Sequence, residues 1–186
     1  LYGAQMEAAS YPTSYIPTFG ATVTRVAEVA NNLGSAATFN DSEGVLFAEF
    51  STLSINPGSS RYITISNGTA ENRIAIRQTS GADNQVGLFV VVGGSVQANL
   101  THTVNVLNFN KIAIKYKVND FALWVNGVEV LTDTSGSVPA EGTLNKLDFA
   151  NFNGSSLPFE GNTKKLLYFS TALTDTQLAE LTSLDS

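Results

Sequence analysis

Short runs of alternating apolar and polar residues fill most of the chain, and residues suited to tight turns separate them. The alternation is clearest in residues 111–117 and 121–125, which Asn119 and Asp120 join. Alternation over about four to eight residues is typical of a strand with one buried face. Asn-Gly and Gly-Gly pairs follow several of the runs and supply the positive φ angles that hairpin turns require. The pattern therefore predicts a series of antiparallel strands.

About ten strands are predicted in this way. They are residues 44–50, 61–66, 73–77, 85–92, 95–98, 111–117, 121–125, 128–131, 143–149 and 164–169. So many short strands predict two packed antiparallel sheets, an all-β sandwich or jelly roll, rather than parallel βαβ units. One short helix is predicted at the C-terminus, because Thr174 and Gln177 fit a capping box and leucines repeat on one face after them.

Length and composition limit the classes of partner that the chain is expected to bind. The 186 residues suit one domain, and cysteine is absent. Ten basic residues against 16 acidic residues give a net charge of −6 with no basic run, which argues against nucleic acid as a partner. No stretch approaches the roughly 20 apolar residues that span a bilayer, so no membrane insertion is expected.

The first 24 residues differ from the rest. Pro12 and Pro17 lie among Tyr, Ser and Thr, which favours extended, irregular backbone. The chain begins at Leu1 without methionine. We therefore predict that residues 1–24 are a connector from a preceding domain, partly packed on a sandwich edge, and that residues 25–186 form the sandwich.

Several strings resemble a known family. GAQME at residues 3–7 and YPTSYIPT at 11–18 resemble a connector of bacteriophage structural and tail-associated proteins. EGVLFAEF at 43–50, FALWVNG at 121–127 and ALTDTQL at 172–178 are similar to marks of the concanavalin A-like, laminin-G-like domain that follows it. The resemblance implies the concanavalin A-like fold and a virion-surface or extracellular location. Relatives include lectins, carbohydrate-binding modules, glycanases and lyases, so function depends on the site.

Catalysis finds little support in the residues. Glycoside hydrolysis usually needs two carboxylates on either side of the scissile bond, and the nearest approach on one strand is Glu43 and Glu49, six positions apart. His102 is the only histidine, so a metal site with several histidines is excluded. We expect no enzyme activity, and an unrecognised lyase or glycanase stays as the second alternative.

No cofactor is expected, although calcium is left open. Calcium binds through carboxylate, amide and backbone oxygens at loop ends. The candidates near predicted turns are Asp41, Asp83, Asp120, Asp133 and Asp148, with Asn151 and Asn153 close to the last. No segment matches a compact calcium loop, and Asp and Asn are also ordinary turn residues.

Alternation also predicts a binding face. If Ile112 and Ile114 point to the core, Lys115 points outward, and the same rule on the next strand exposes Trp124 beside small alanines. The rule also turns Arg73, Arg77 and Tyr62 outward. An exposed tryptophan is a platform for a sugar ring, and the cations would suit uronate or sulfate. We therefore predict a ligand site of Trp124, Lys115, Arg73, Arg77 and Tyr62, if strand order brings them together.

These residues favour a non-catalytic module that binds polysaccharide or a cell-surface glycan. The rival hypothesis is a structural or assembly module of a virion without a small ligand, which an exposed apolar face would favour. The alternative for the binding face itself is that the connector or a neighbouring domain covers Trp124 and that the Arg and Lys side chains serve solubility.

Overall fold

The computed structural model describes residues 30–81 and 83–184, which contain ten strands and one helix. The elements are β1 (Glu43–Thr52), β2 (Arg61–Ser66), β3 (Arg73–Gln78), β4 (Gln85–Val92), β5 (Ser95–Thr103), β6 (Asn110–Lys117), β7 (Phe121–Val125), β8 (Val128–Asp133), β9 (Lys146–Asp148), β10 (Gly161–Phe169) and α1 (Asp175–Thr182). The connector predicted for residues 1–24 lies outside the described residues.

Two antiparallel sheets of five strands form a sandwich, as predicted. Sheet I has the order β10-β1-β6-β7-β8, and sheet II has the order β5-β4-β3-β2-β9. The chain therefore changes sheet between β1 and β2, between β5 and β6, and again on either side of β9. Hairpins join β2, β3, β4 and β5 in sequence, so four consecutive strands lie side by side in sheet II.

The main core lies between the sheets. Alternate residues of each strand enter it, including Ile63 and Ile65 from β2 and Ile74 and Ile76 from β3. The turns have the backbone that their residues predict: Asn126 and Gly127, between β7 and β8, have φ angles of 50° and 88°. Two outer faces remain once the core is filled, and these decide where a ligand can bind.

Helix α1 begins with the predicted capping box. Thr174 accepts a hydrogen bond from the Gln177 backbone, and the Gln177 side chain reaches back to the Thr174 backbone. The helix buries Leu178 against an apolar cluster on the outer face of sheet I that includes Val45, Phe47 and Trp124. Within the described part of the chain, no helix is long and apolar enough to cross a membrane.

Most predicted strand limits hold within two residues, with three larger differences. Strand β10 begins at Gly161, three residues before the predicted start at residue 164. Strand β5 continues to Thr103, because Leu100 and Asn99 pair with β4 although the sequence there is polar. Strand β9 has only three residues, Lys146–Asp148, where a longer strand was predicted over 143–149.

Candidate functional site

The five residues predicted to bind a ligand lie on two different faces. Trp124 in β7 and Lys115 in β6 belong to sheet I, whereas Tyr62, Arg73 and Arg77 belong to sheet II. The expectation that all five share one face is therefore wrong. Alternation assigned each side chain to the outside of its own sheet, but the two sheets face opposite ways.

Trp124 is not exposed. Its side chain belongs to the cluster in which Ala113, Ala122 and Leu178 are also buried, and only 5% of its surface is exposed. The small alanines that were expected to clear space for a sugar ring instead make room for α1. The prediction of an exposed stacking platform is wrong because the C-terminal helix covers this face.

Lys115 is also covered. Its Nζ lies 2.8 Å from Asp120 Oδ1 and 3.8 Å from Asp175 Oδ1, and the residue is 8% exposed. The second partner is the first residue of α1, so the lysine links strand and helix. These two carboxylates neutralise the charge of the lysine within the fold, and the structure gives no support to Lys115 as a ligand contact.

Tyr62, Arg73 and Arg77 do come together on the outer face of sheet II. Tyr62 is the register partner of Arg77, and Arg73 and Arg77 flank Ala75 on β3. Ala75 is fully buried. Three of the five predicted residues therefore form one group on adjacent strands.

Phe89 lies at the centre of this group and was missed in the sequence. It is the register partner of Ala75 on β4, and the Cζ atoms of Arg73 and Arg77 lie 5.1 Å and 4.6 Å from its ring centre. Both distances are within the range of cation–π attraction. The signal was available, because the alternation that buries Leu88 and Val90 points Phe89 outward.

Three further residues complete the group. Arg77 Nη2 donates to Asn99 Oδ1 at 2.5 Å, and Arg73 Nη1 donates to Asn151 Oδ1 at 2.7 Å. The ring of Phe152 lies 5.2 Å from Arg73 Cζ, so this guanidinium lies near two aromatic rings. Asn151 and Phe152 come from the irregular segment after β9, and no local pattern in the sequence indicates that they reach β3.

Four buried polar atoms on this face lack a hydrogen-bond partner within the described ranges. They are Arg73 Nε, Arg77 Nε, Thr64 Oγ1 and Asp148 Oδ2. Buried polar groups are nearly always hydrogen-bonded, and a buried group left unsatisfied costs about 1–3 kcal/mol. Four such atoms on one sheet face mark it as a candidate site for a polar ligand.

This face carries two positive charges although the protein as a whole is acidic. Among the residues that the structure describes, no carboxylate forms an ion pair with Arg73 or Arg77. By contrast, Arg61 on β2 lies 3.0 Å from Glu160. The pKa of Arg73 is below its ordinary value, mainly because the guanidinium is partly buried and also because Arg77 is near. Two adjacent positive charges without a counter-ion favour an anion.

The carboxylates that were considered for calcium are mostly engaged elsewhere. Asp41 accepts hydrogen bonds from the backbone of Gly142 and Leu144, Asp120 pairs with Lys115, and Asp133 accepts from Ser135. In residues 30–81 and 83–184 there is no group of three or more His, Cys, Asp or Glu residues that could hold a metal.

The strands of this face also lack a pair of carboxylates that could act in catalysis. The five strands of sheet II carry one carboxylate, Asp148. Glu43 and Glu49 are in β1 of sheet I, where they lie 2.9 Å from Lys117 and 3.3 Å from Lys164. The strands of sheet II therefore lack the two carboxylates of a glycosidase site.

Comparison with solved structures identifies similar folds. The CBM40 domain of the Ruminococcus gnavus IT-sialidase, bound to α2,3-sialyllactose, has a TM-score of 0.66 at 18% identity, with 84% of this chain and 96% of that chain covered. Domain 4 of the Geobacillus stearothermophilus arabinanase AbnA, in complex with arabinotriose, has a TM-score of 0.63 at 15% identity, with 82% and 71% covered.

The third similar structure is a heptameric SAP-like pentraxin from Limulus polyphemus, with a TM-score of 0.61 at 12% identity and coverage of 82% and 74%. No protein-family model and no curated protein matches the sequence. At these identities the likeness shows the fold, a β-sandwich of the concanavalin A-like kind, and this confirms the predicted fold class.

Proposed function

We propose that this chain is a carbohydrate-binding module that recognises an anionic sugar on the outer face of sheet II. The observation that carries the proposal is the pair Arg73 and Arg77. Both guanidinium groups lie over Phe89, and each keeps a buried Nε that donates no hydrogen bond to any described residue. We call this group, with Tyr62, Asn99 and Asn151, the arginine face.

The chemistry of the arginine face fits a carboxylate or sulfate. A guanidinium donates through a planar fork of N–H groups that matches two oxygens of such an anion. One N–H donor of each arginine is already held by Asn99 or Asn151, which fixes the plane of the group. The remaining donors then bind an anion with little loss of side-chain entropy.

The similar folds support a glycan as the class of ligand. Two of the three structures above contain an oligosaccharide, sialyllactose or arabinotriose. Sialic acid carries a carboxylate at neutral pH, whereas arabinotriose is neutral. The unpaired arginines favour the charged class.

The test is a binding screen with matched variants. The panel contains sialyllactose, polygalacturonate, a sulfated glycan and neutral arabinan, and binding is measured by calorimetry at two salt concentrations. Wild type is compared with Arg73→Gln and Arg77→Gln, and with Arg61→Gln as a control. Arg61 lies on the neighbouring strand but is already neutralised by Glu160.

We expect binding to acidic members of the panel that weakens with salt, a loss of about tenfold or more in each arginine-face variant, and no change in Arg61→Gln. Equal binding of wild type and both variants would contradict the arginine face. Release of cleavage products during the assay would instead revive the glycanase or lyase alternative.

The assembly module remains a second candidate because one specific surface favours it. Leu53, Ile55 and Leu107 are each at least 39% exposed, in loops that are linked by the Thr52 N to Val106 O hydrogen bond. An apolar end of this kind suits contact with another protein. Failure to bind any glycan, together with self-association that Leu107→Ser abolishes, would favour this function.

A virion-surface or extracellular location and a phage context stay predictions from the resemblance. The structures reported above come from two bacteria and a horseshoe crab. The boundary between a connector at residues 1–24 and the domain at 25–186 also stays a prediction.

A further inference from the structure

Thr64 and Asp148 form a second polar group beside the arginine face. They are register partners on β2 and β9, and both are fully buried. Ile65 and Leu147, which follow and precede them, belong to the core, so Thr64 and Asp148 point to the outer side of sheet II. Thr64 is also the register partner of Ala75, which lies between the two arginines in β3.

Each of the two side chains has one atom without a hydrogen bond from the described residues: Thr64 Oγ1 and Asp148 Oδ2. The other carboxylate oxygen, Asp148 Oδ1, accepts from the Asn32 backbone at 2.7 Å. Lys146 Nζ lies 3.8 Å from Oδ2, which balances charge but is too long for a hydrogen bond. The carboxylate is therefore oriented and neutralised, yet one acceptor position stays open.

A short irregular segment covers this group. A Cβ atom on Gly154 would lie 3.0 Å from Asp148 Oδ1, and the Phe152 carbonyl accepts from Ser66 Oγ. Leu157, in the same segment, packs on the cluster of Tyr62 and Phe89 with a φ angle of 50°. We call residues 153–157 the covering segment.

The backbone of the covering segment stores strain. A left-handed conformation costs a residue such as leucine about 1–2 kcal/mol. Asn151 and Phe152, which directly precede the segment, contact Arg73. An outward shift confined to residues 153–157 would open a path from the arginine face to Thr64 and Asp148 and keep both of these contacts.

We propose that Thr64 Oγ1 and Asp148 Oδ2 form an inner subsite that takes a hydroxyl group of the sugar, reached when the covering segment shifts outward. This inference rests on the proposed function of the arginine face. A sugar hydroxyl donates to the carboxylate and accepts from the threonine hydroxyl, so a single group satisfies both buried atoms.

The spacing suits such a bridge. Side chains of register partners on one face have Cβ atoms about 4.5–5.5 Å apart, and hydroxyl hydrogen bonds are about 2.7–2.8 Å long. A metal ion fits less well, because calcium takes about six to eight oxygens and Lys146 already lies beside the carboxylate.

The test uses Thr64→Val and Thr64→Ser on the full chain. Valine keeps the shape but removes the hydroxyl, whose oxygen has no partner within the described fold, so we expect the midpoint of unfolding to stay or rise. Affinity for polygalacturonate or sialyllactose, whichever wild type binds, should fall about three- to tenfold. Thr64→Ser should bind like wild type, and so should the control Thr103→Val at the exposed end of β5.

Asp148→Asn is the second variant, since it keeps Oδ1 for Asn32 and replaces the open acceptor with a donor. We expect a loss of about tenfold or more, because the hydrogen bond to a charged group is lost. Deoxy analogues of the same sugar, each lacking one hydroxyl, are then compared. The analogue that binds wild type and Thr64→Val equally lacks the hydroxyl that Thr64 contacts.

The outcomes separate this inference from the proposed function. If the arginine variants lose binding but Thr64→Val and Asp148→Asn bind like wild type, the inner subsite is overturned and the arginine face stands. If wild type binds no acidic glycan, both are overturned. Loss of binding in Thr64→Val with a midpoint of unfolding that is unchanged or higher supports the subsite, since removal of a purely structural hydroxyl would lower the midpoint instead.

Discussion

Arg77 lies over the ring of Phe89, with its Cζ 4.6 Å from the ring centre, and no carboxylate among the described residues pairs with it. An arginine on an acidic protein usually pairs with an acid. Here an aromatic ring and an asparagine hold it instead. This arrangement keeps the positive charge in place and leaves it available to an anion.

The first prediction concerns the ring. Phe89→Leu keeps apolar bulk but removes the cation–π attraction to both guanidinium groups, which is about 0.5–2 kcal/mol each. We expect affinity for an acidic glycan to fall about threefold to thirtyfold, measured by calorimetry.

Phe109→Leu is the matched control, because Phe109 makes a similar contact with Lys164 in β10 of sheet I, 4.0 Å from its ring centre. It should leave glycan binding unchanged. Equal loss of affinity in both variants would mean that the effect is general and not a property of the arginine face.

The second prediction concerns the covered face of sheet I. Leu178→Ala leaves a cavity between α1 and the sheet, so we expect the free energy of unfolding to fall by about 2–5 kcal/mol, measured by urea titration. Leu184→Ala, at a position that is 56% exposed, should cost far less.

The same variant tests the corrected position of Trp124, the only tryptophan. Its fluorescence should shift to the red as α1 loosens, while glycan binding on sheet II stays unchanged. Loss of binding in Leu178→Ala with the fold intact would return Trp124 to the candidate site.

Local alternation in the sequence was enough to predict two packed antiparallel sheets and the side of its sheet to which each outer residue points. It placed Arg73, Arg77 and Tyr62 correctly on an outer face, and extended to β4 it would have added Phe89. It could not assign strands to sheets, because the crossovers between β1 and β2 and between β5 and β6 leave no local signal.

Two other features depend on contacts between distant parts of the chain. The C-terminal helix was predicted, but the face that it covers is set by the packing of Leu178 on sheet I. Asn151 and Phe152 reach Arg73 across 78 and 79 positions from an irregular segment, which no periodic pattern describes.

The third prediction concerns Gly87, the register partner of Arg77 on β4. A Cβ atom there would lie 2.1 Å from the Leu100 carbonyl oxygen, which is backbone and cannot move without disturbing β5. Gly87→Ala should therefore destabilise the fold by about 1–3 kcal/mol or more in a urea titration.

Gly58→Ala is the control for this change, because nothing lies within 4 Å of the added atom. It should leave stability nearly unchanged. A Gly87→Ala protein as stable as Gly58→Ala would show that β4 and β5 separate easily.

The last prediction concerns pH and Tyr116, whose hydroxyl donates to the Asn40 carbonyl at 2.5 Å and lies 2.9 Å from the Tyr168 hydroxyl. Burial, and then the hydrogen bond with Tyr168, raises the pKa of Tyr116 well above its ordinary value. The folded state therefore keeps the proton, whereas the unfolded chain releases it near pH 10. The stabilisation is complete below about pH 10 and is lost above it, by up to about 1.4 kcal/mol for each pH unit.

Urea unfolding of wild type and Tyr116→Phe from about pH 8 to about pH 11 measures the effect. The free energy of unfolding of wild type should fall relative to that of the variant as the pH rises. A constant difference between the two across this range would mean that Tyr116 ionises equally readily in the folded and unfolded states.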